Sequence, residues 1–316
     1  MKREYRIAHF SDLHLSPEYF PERSILFRSA LEQCRKIGID HYIITGDVTN
    51  QARPVEFGHF RSILEEFSLL DAEKTTVVIG NHDIFGGPYY ADDVLNFPSD
   101  CKSTEYDKKV SEFFSATKET FRGVTFFSSK TVFPFLKLIG DTAIVGINSI
   151  ARWNGLKNPI GSNGKIYDDQ FKCVSSILKS SLLEGKRIIV AMHHHFYKIN
   201  PGRDASRIEQ LWTALESTTM KLRGEKKLLA LFRKAGVEMI LHGHVHHTTE
   251  YRKNGIRCVN AGGMVMAPKN DQPAFHVLTF NEHGVRLETT PIQQLQTSPV
   301  KRHRQRPAAT PILVNA

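Results

Sequence analysis

Five short apolar runs in this 316-residue chain each end in residues that bind metal ions or carry protons. Asp12-Leu13-His14 follows the first run, Gly46-Asp47 the second and Gly80-Asn81-His82-Asp83 the third. Residues 188–192 run into His193-His194-His195, and residues 237–241 into His242-Gly243-His244-Val245-His246-His247. A lone aspartate before a turn is ordinarily a cap, and a lone histidine an ordinary hydrogen-bonding residue. Solvated loops, however, have little reason to collect Asp, Asn and His after five separate apolar runs. Carboxylate, amide and imidazole donors without cysteine suit divalent manganese, iron, zinc or cobalt. Metal binding is the chemistry this arrangement points to.

For these residues to meet, the runs must be strands of a layered α/β fold whose carboxyl ends share one crevice. Residues 6–11, 41–45 and 76–79 read as strands. Helical spacing fills the intervals, over 22–36 (Ile25, Leu26, Ala30, Leu31) and 54–70 (Phe57, Phe60, Ile63, Leu64, Phe67). Strands are expected again at 132–139, 142–148, 187–192 and 237–241, and helices over 168–183 and up to 235. The final runs, 257–261 and 275–280 with the turn 281–284, read as a β-meander closing a second sheet. Two segments interrupt the alternation: an insertion at 84–129, expected to form a substrate-facing cap, and an excursion at 200–224. Phe85, Tyr89, Tyr90, Phe97, Phe113 and Phe114 of the insertion could stack a base, line an acyl groove or form a small core.

Composition fits this reading, since 41% hydrophobic and 24% charged residues describe a soluble globular chain. One catalytic domain is expected over residues 1–291. The first apolar run is too short for a signal segment or a membrane span, and no transmembrane run follows, so a cytoplasmic location is expected. Cys34, Cys101, Cys173 and Cys258 lie far apart and read as reduced packing residues. Part of the net charge of +9 comes from Lys301, Arg302, Arg304 and Arg306. They belong to residues 292–316, a disordered basic tail by composition; peripheral contact with an anionic membrane surface is the alternative to simple solvation, and nucleic acid a weaker one.

The ordered series Asp-x-His, Gly-Asp, Gly-Asn-His-Asp, His and Gly-His-x-His resembles the calcineurin-like metallophosphoesterases over residues 7–263. Gly46-Asp47-Val48-Thr49-Asn50, followed by a helix with Glu56 and Phe60, is most similar to the class III cyclic-nucleotide phosphodiesterases of that family. The resemblance implies a four-layer α/β/β/α sandwich of two mixed β-sheets flanked by helices. It also implies two divalent metal ions, manganese or iron before zinc or cobalt. Asp12, His14 and His246 would hold one ion, Asn81, His193 and His244 the other, and Asp47 would bridge them. A metal-bridging hydroxide would be the nucleophile. His82 would stabilise the transition state or protonate the leaving oxygen, with Asp83 fixing its tautomer. Many relatives continue His-Pro where this chain has His193-His194-His195. His194, His195 and Asn50 are therefore candidate substrate contacts, with a structural role as the alternative for the histidines.

The leading function on this reading is hydrolysis of a small phosphodiester such as a 3′,5′-cyclic nucleotide. A pyrophosphatase acting on a nucleotide-linked lipid such as UDP-2,3-diacylglucosamine would use the same metals. A DNA exonuclease suits the net charge but lacks the additional capping domain of such enzymes. A non-catalytic scaffold suits the chain least, because every ligand position is filled.

Overall fold

The computed structural model describes residues 4–88, 91–197, 220, 222–263, 272–282 and 284–293. Strands β1 (Tyr5–Phe10), β2 (His41–Thr45) and β3 (Thr75–Val78) lie parallel and adjacent, joined by helices α1 (Pro21–Ile37) and α2 (Pro54–Glu66). Each helix starts with proline in its first turn, where a missing N–H costs nothing. Leu26, Phe27, Ala30 and Leu31 of α1 and Phe57, Phe60, Ile63 and Leu64 of α2 are buried in one core with the strands, as their helical spacing predicts. The second helix stops at Glu66, short of residue 70, because Ser68 turns into the left-handed region (φ 56°).

The second sheet contains β4 (Thr125–Phe126), β5 (Phe135–Ile139), β6 (Thr142–Gly146), β8 (Arg187–Ala191), β10 (Met239–His242), β11 (Thr249–Lys253) and β12 (Ile256–Asn260). Its order is β11-β12-β10-β8-β6-β5-β4, while β7 (Gly164–Lys165) and β9 (Leu222–Arg223) form a separate ribbon. Successive residues of its central strands alternate between two cores. Ile144, Ile189, Ala191, Met239 and Leu241 pack with the first sheet. Val145, Ile188, Val190 and Ile240 pack with helices α5 (Asp168–Ile177) and α6 (Glu225–Lys234). The result is a four-layer α/β/β/α sandwich. No helix among the described residues is long and apolar enough to cross a membrane.

Two expectations need correction. The closing strands do not form a single meander: β12 pairs with β10 in the second sheet, whereas β13 (Ala274–Asn281) returns to the first and lies antiparallel to β1, with β14 (Gly284–Pro291) at its edge. An uncovered β1 would leave a row of unpaired backbone groups beside the core, and Phe275 of β13 stacks on Phe10 at 5.0 Å. Likewise, the helix expected over 168–183 ends at Ile177, and Ser181–Leu183 is a separate 3-10 turn.

Residues 84–129 are largely helical, with α3 (Ala91–Ser103), α4 (Tyr106–Thr117) and a 3-10 turn at Lys118–Phe121. Phe113 is fully buried against Phe57 of α2, and Phe97 and Phe114 pack on the same core, so these three aromatics are structural. Tyr89, Tyr90, most of the 200–224 excursion and residues 294–316 of the basic tail lie outside the described residues.

One side chain ties the two sheets to this insertion. Lys137 of β5 is 4% exposed, and its Nζ donates to the carbonyl oxygens of Ala72 (3.0 Å), Thr75 (2.6 Å) and Thr120 (2.6 Å). Three acceptors match the three donors of an ammonium group. Lys137→Met leaves those carbonyls unsatisfied and should cost about 2–4 kcal/mol of stability. Urea unfolding would read this as a lower midpoint at unchanged slope; an unchanged midpoint would show that the three bonds add nothing.

Candidate metal centre

The loops that follow β1, β2, β3, β8 and β10 meet at one edge of the sandwich. Within the first sheet the ladder continues past the strands, through Asp12 N–H to the Gly46 carbonyl (3.1 Å) and His14 N–H to the Asp47 carbonyl (2.9 Å). Across the sheets, the His244 N–H donates to both carboxylate oxygens of Asp12, at 3.1 and 3.0 Å. Such closeness leaves no room for a Cβ at Gly243, where it would strike Ser11 and Asp12, or at Gly80, where it would strike Asp47. Asp12, His14, Asp47, His244 and His246 all adopt left-handed backbone, with φ of 53°, 43°, 51°, 80° and 48°. That conformation costs about 1–2 kcal/mol per L-residue, and Asp and His accept it more readily than most.

These turns bring all seven expected ligands together. Asp12, His14, Asp47 and His246 each offer a donor atom within 4.8 Å of the others, as do Asp47, His193 and His244. In the first group, His14 Nε2 and His246 Nε2 are 2.9 Å apart, and His246 Nε2 is 3.4 Å from Asp12 Oδ1. In the second, His193 Nε2 lies 3.0 Å from Asn81 Oδ1, 3.1 Å from His244 Nδ1 and 3.2 Å from Asp47 Oδ2. The same Asp47 Oδ2 is 3.7 Å from His14 Nε2, so this oxygen faces both groups.

Electrostatics and hydrogen bonding prepare these donors for cations. His193 Nδ1–H donates to the Thr45 carbonyl at 2.8 Å, which turns Nε2 inward toward Asn81, Asp47 and His244. Burial holds the His14 and His244 rings neutral, with pKa values well below the usual histidine range. For His193 burial acts in the same direction, but the Asp47 carboxylate outweighs it and raises the pKa to about 9. Burial would raise the pKa of Asp47; His193, His82 and His14 reverse this and keep it a carboxylate. Inward-facing imidazoles around two buried carboxylates and an amide oxygen fit two divalent ions, and their low total charge leaves such ions electrophilic.

Around this core, several expected roles change. The partly exposed His82 stands edge-on to the His14 ring at 4.4 Å. Its Nδ1–H donates to the Asn50 carbonyl at 2.9 Å, and its backbone N–H to Asp47 Oδ1 at 2.8 Å. Asp83 does not orient this ring, contrary to the expectation. Its Oδ1 accepts the Thr49 N–H (2.9 Å) and hydroxyl (3.0 Å), and its Oδ2 accepts the Gly80 N–H (2.9 Å). Burial, with the Asp47 charge nearby, pushes the Asp83 pKa up to about 7. Its carboxyl joins the loops after β2 and β3.

Asn50 supports the site, since its Oδ1 accepts from Arg23 Nη1 at 3.0 Å and its carbonyl from His82. His194 is fully buried, with Nδ1 paired to the Ser149 hydroxyl (2.9 Å) and Nε2 donating to the Ser162 carbonyl (3.1 Å). Neither nitrogen is left for a substrate. His195 is 5% exposed beside His244, with ring centroids 6.0 Å apart, and neither ring nitrogen has a partner among the described residues. His242 and His247 are structural, bonded to the hydroxyls of Tyr251 and Tyr197, each at 2.8 Å. Arg23 is a site neighbour that sequence reading passes over, because an arginine at the start of a helix carries no local signal of what it will touch.

Comparison with known proteins agrees with this geometry. The family profile described as calcineurin-like phosphoesterase matches residues 5–248. No curated protein sequence matches. Among solved structures, a dimetal phosphatase from Danio rerio is similar with a TM-score of 0.58 at 11% identity, over 92% of this chain and 99% of that one. A purple acid phosphatase from yellow lupin (Lupinus luteus) seeds gives 0.56 at 15% identity, over 93% of this chain and 53% of the longer lupin protein. GAP50, the anchor in the inner membrane complex of Plasmodium, gives 0.51 at 13% identity, over 93% and 91%. At these identities the likeness is one of fold.

Metal-reconstituted protein should carry two divalent ions per chain, and Asp47→Ala at most one. Elemental analysis after gel filtration checks this, and two ions retained by the variant would remove Asp47 from the bridging position.

Proposed function

From the premise that this chain belongs to the calcineurin-like phosphoesterase family, we propose that it hydrolyses a phosphodiester, with 3′,5′-cyclic nucleotides as the leading substrate class. The observation that carries hydrolysis is the pair of donor groups sharing Asp47, with His82 beside them. The diester preference is supported by the resemblance of residues 46–50 to the class III cyclic-nucleotide phosphodiesterases.

On this proposal Asp12, His14 and His246 would hold one ion and Asn81, His193 and His244 the second, with Asp47 common to both groups. When bound, the two ions polarise phosphoryl oxygens and lower the pKa of water enough for it to attack at neutral pH. Manganese and iron are the first ions to test, zinc and cobalt the next. The protein's own contribution is to hold its donors convergent before any ion arrives. His82 keeps Nδ1–H on the Asn50 carbonyl, and as the imidazolium, with a second proton on Nε2, it would stabilise the charge developing on the leaving oxygen or give up that proton. Its partial exposure lets this ring reach substrate while His193, His194 and His244 stay covered.

A panel of bis-p-nitrophenyl phosphate, cyclic AMP, a UDP-diacylglucosamine analogue and single-stranded DNA, each with added metal, tests the proposal. Wild type should hydrolyse the diesters and Asp47→Ala none of the panel. His82→Ala should lose about 100-fold or more in kcat while keeping both ions. Turnover of the UDP-linked lipid or DNA alone would move the substrate class. Bound metal with no substrate cleaved would favour a scaffold role, such as the anchor role named for GAP50.

A further inference from the structure

The ribbon of β7 and β9 sets two cations side by side, since Lys165 and Arg223 are direct partners across its parallel pairing. Like charges directly opposite one another destabilise a pair of strands. With two residues in each strand, this ribbon has few bonds to offset that repulsion. Lys227, in the first turn of α6, brings a third cation to the same place. Together with Ile166, Phe171 and Leu228 they line a cavity of about 190 Å³. Arg28, Arg61, Arg152 and Arg257 each meet a carboxylate at 2.8 Å or less, whereas these three cations form no ion pair among the described residues. Asp168 also lies on the wall, a single carboxylate against three positive groups.

The contacts that hold these cations in place leave most of their donors unused. Lys165 Nζ stands 4.4 Å over the Tyr167 ring and Lys227 Nζ 4.2 Å over the Phe171 ring. A ring face attracts the charge without accepting a conventional hydrogen bond, so both ammonium groups remain able to donate to a ligand. Arg223 gives one N–H to the Lys157 carbonyl and keeps the others.

We propose that this cavity binds a small phosphate-bearing anion, at a site apart from the metal centre. A phosphate group has enough oxygens to join Lys165 to Arg223 and to reach Lys227, which turns a repulsive pair into a bridged one. The volume falls short of the roughly 300 Å³ at which pockets for drug-sized ligands begin. Inorganic phosphate or a small phosphomonoester therefore suits it better than a whole nucleotide. On the other side of β7, a Cβ at Gly164 would strike the His194 ring, and that ring lies 4.4 Å from His244 between centroids. An anion that ties β7 to β9 thus firms the ribbon on which His194 rests. The proposal does not depend on the hydrolase reading.

Calorimetric titration of the metal-loaded full chain with inorganic phosphate tests it, in wild type and in Asp47→Ala, where phosphate at the metal centre is reduced. Lys165→Gln and Lys227→Gln should each weaken the cavity's phosphate by about tenfold or more in both backgrounds. Lys226→Gln, one residue away and off the wall, should change it by less than about twofold. Asp168→Asn removes the one repulsive group and should tighten binding severalfold. In the Asp47→Ala background, phosphate should raise the melting midpoint, and Lys165→Gln should abolish that rise. Methyl phosphate bound as well as phosphate would assign the site to phosphomonoesters, and binding about tenfold weaker would assign it to free phosphate. Equal losses in Lys226→Gln and Lys227→Gln would reveal a diffuse charge effect and overturn the proposal. A phosphate signal wholly removed by Asp47→Ala, or an affinity untouched by Asp168→Asn, would overturn it as well.

Discussion

A carboxylate that is 1% exposed cannot stand alone, and the surroundings of Asp47 are arranged to meet its charge. One oxygen faces histidines from both donor groups, while the other takes the N–H of His82. Its loop lies between those after β1 and β3, bonded to the first through His14 and Leu15 and to the second through Thr49 with Asp83 and Gln51 with Gly87. The restriction at Gly80 and the left-handed turn at Asp47 both follow from how closely these loops pack. Moving this group would disturb all three loops together.

The sandwich explains why such a group can be kept dry. Strands β8 and β10 bury side chains on both faces, inward against the first sheet and outward against α5 and α6, so the ends that carry His193, His244 and His246 emerge from a rigid support. The insertion adds to that support, because α4 is docked on α2 through Phe113 and Phe57, and Lys137 holds the turn behind it. Low dielectric in a covered site strengthens every interaction between donors and cations. Within this edge, His82 and His246 remain partly open.

Much of this was legible in the chain because strand and helix periods are local properties. Apolar runs such as 41–45 and the helical stripe from Phe57 to Leu64 reveal themselves without the fold, and the donors after each run mark the edge where strands end. The directions of neighbouring side chains were not legible. His193 and His194 are adjacent, yet one faces the other donors and its neighbour turns to Ser149, while Asp83 turns from His82 toward Thr49. Tight turns decide such directions through φ and ψ that residue type alone does not reveal. The return of β13 to the first sheet and the reach of Arg23 to Asn50 depend on contacts between distant segments, which leave no local periodicity.

The strand order of the first sheet, β14-β13-β1-β2-β3, also carries a temporal meaning. The strand that opens the fold waits for a neighbour made from Ala274–Asn281, and until that segment leaves the ribosome β1 is an edge with unpaired backbone groups. The candidate metal donors are spread just as widely, from Asp12 to His246. A growing chain therefore displays its first aspartate and histidine long before it can surround an ion with them. Seating of metal belongs to the finished protein, and the interval before it is the time in which the chain is most open to mispairing and to chaperones.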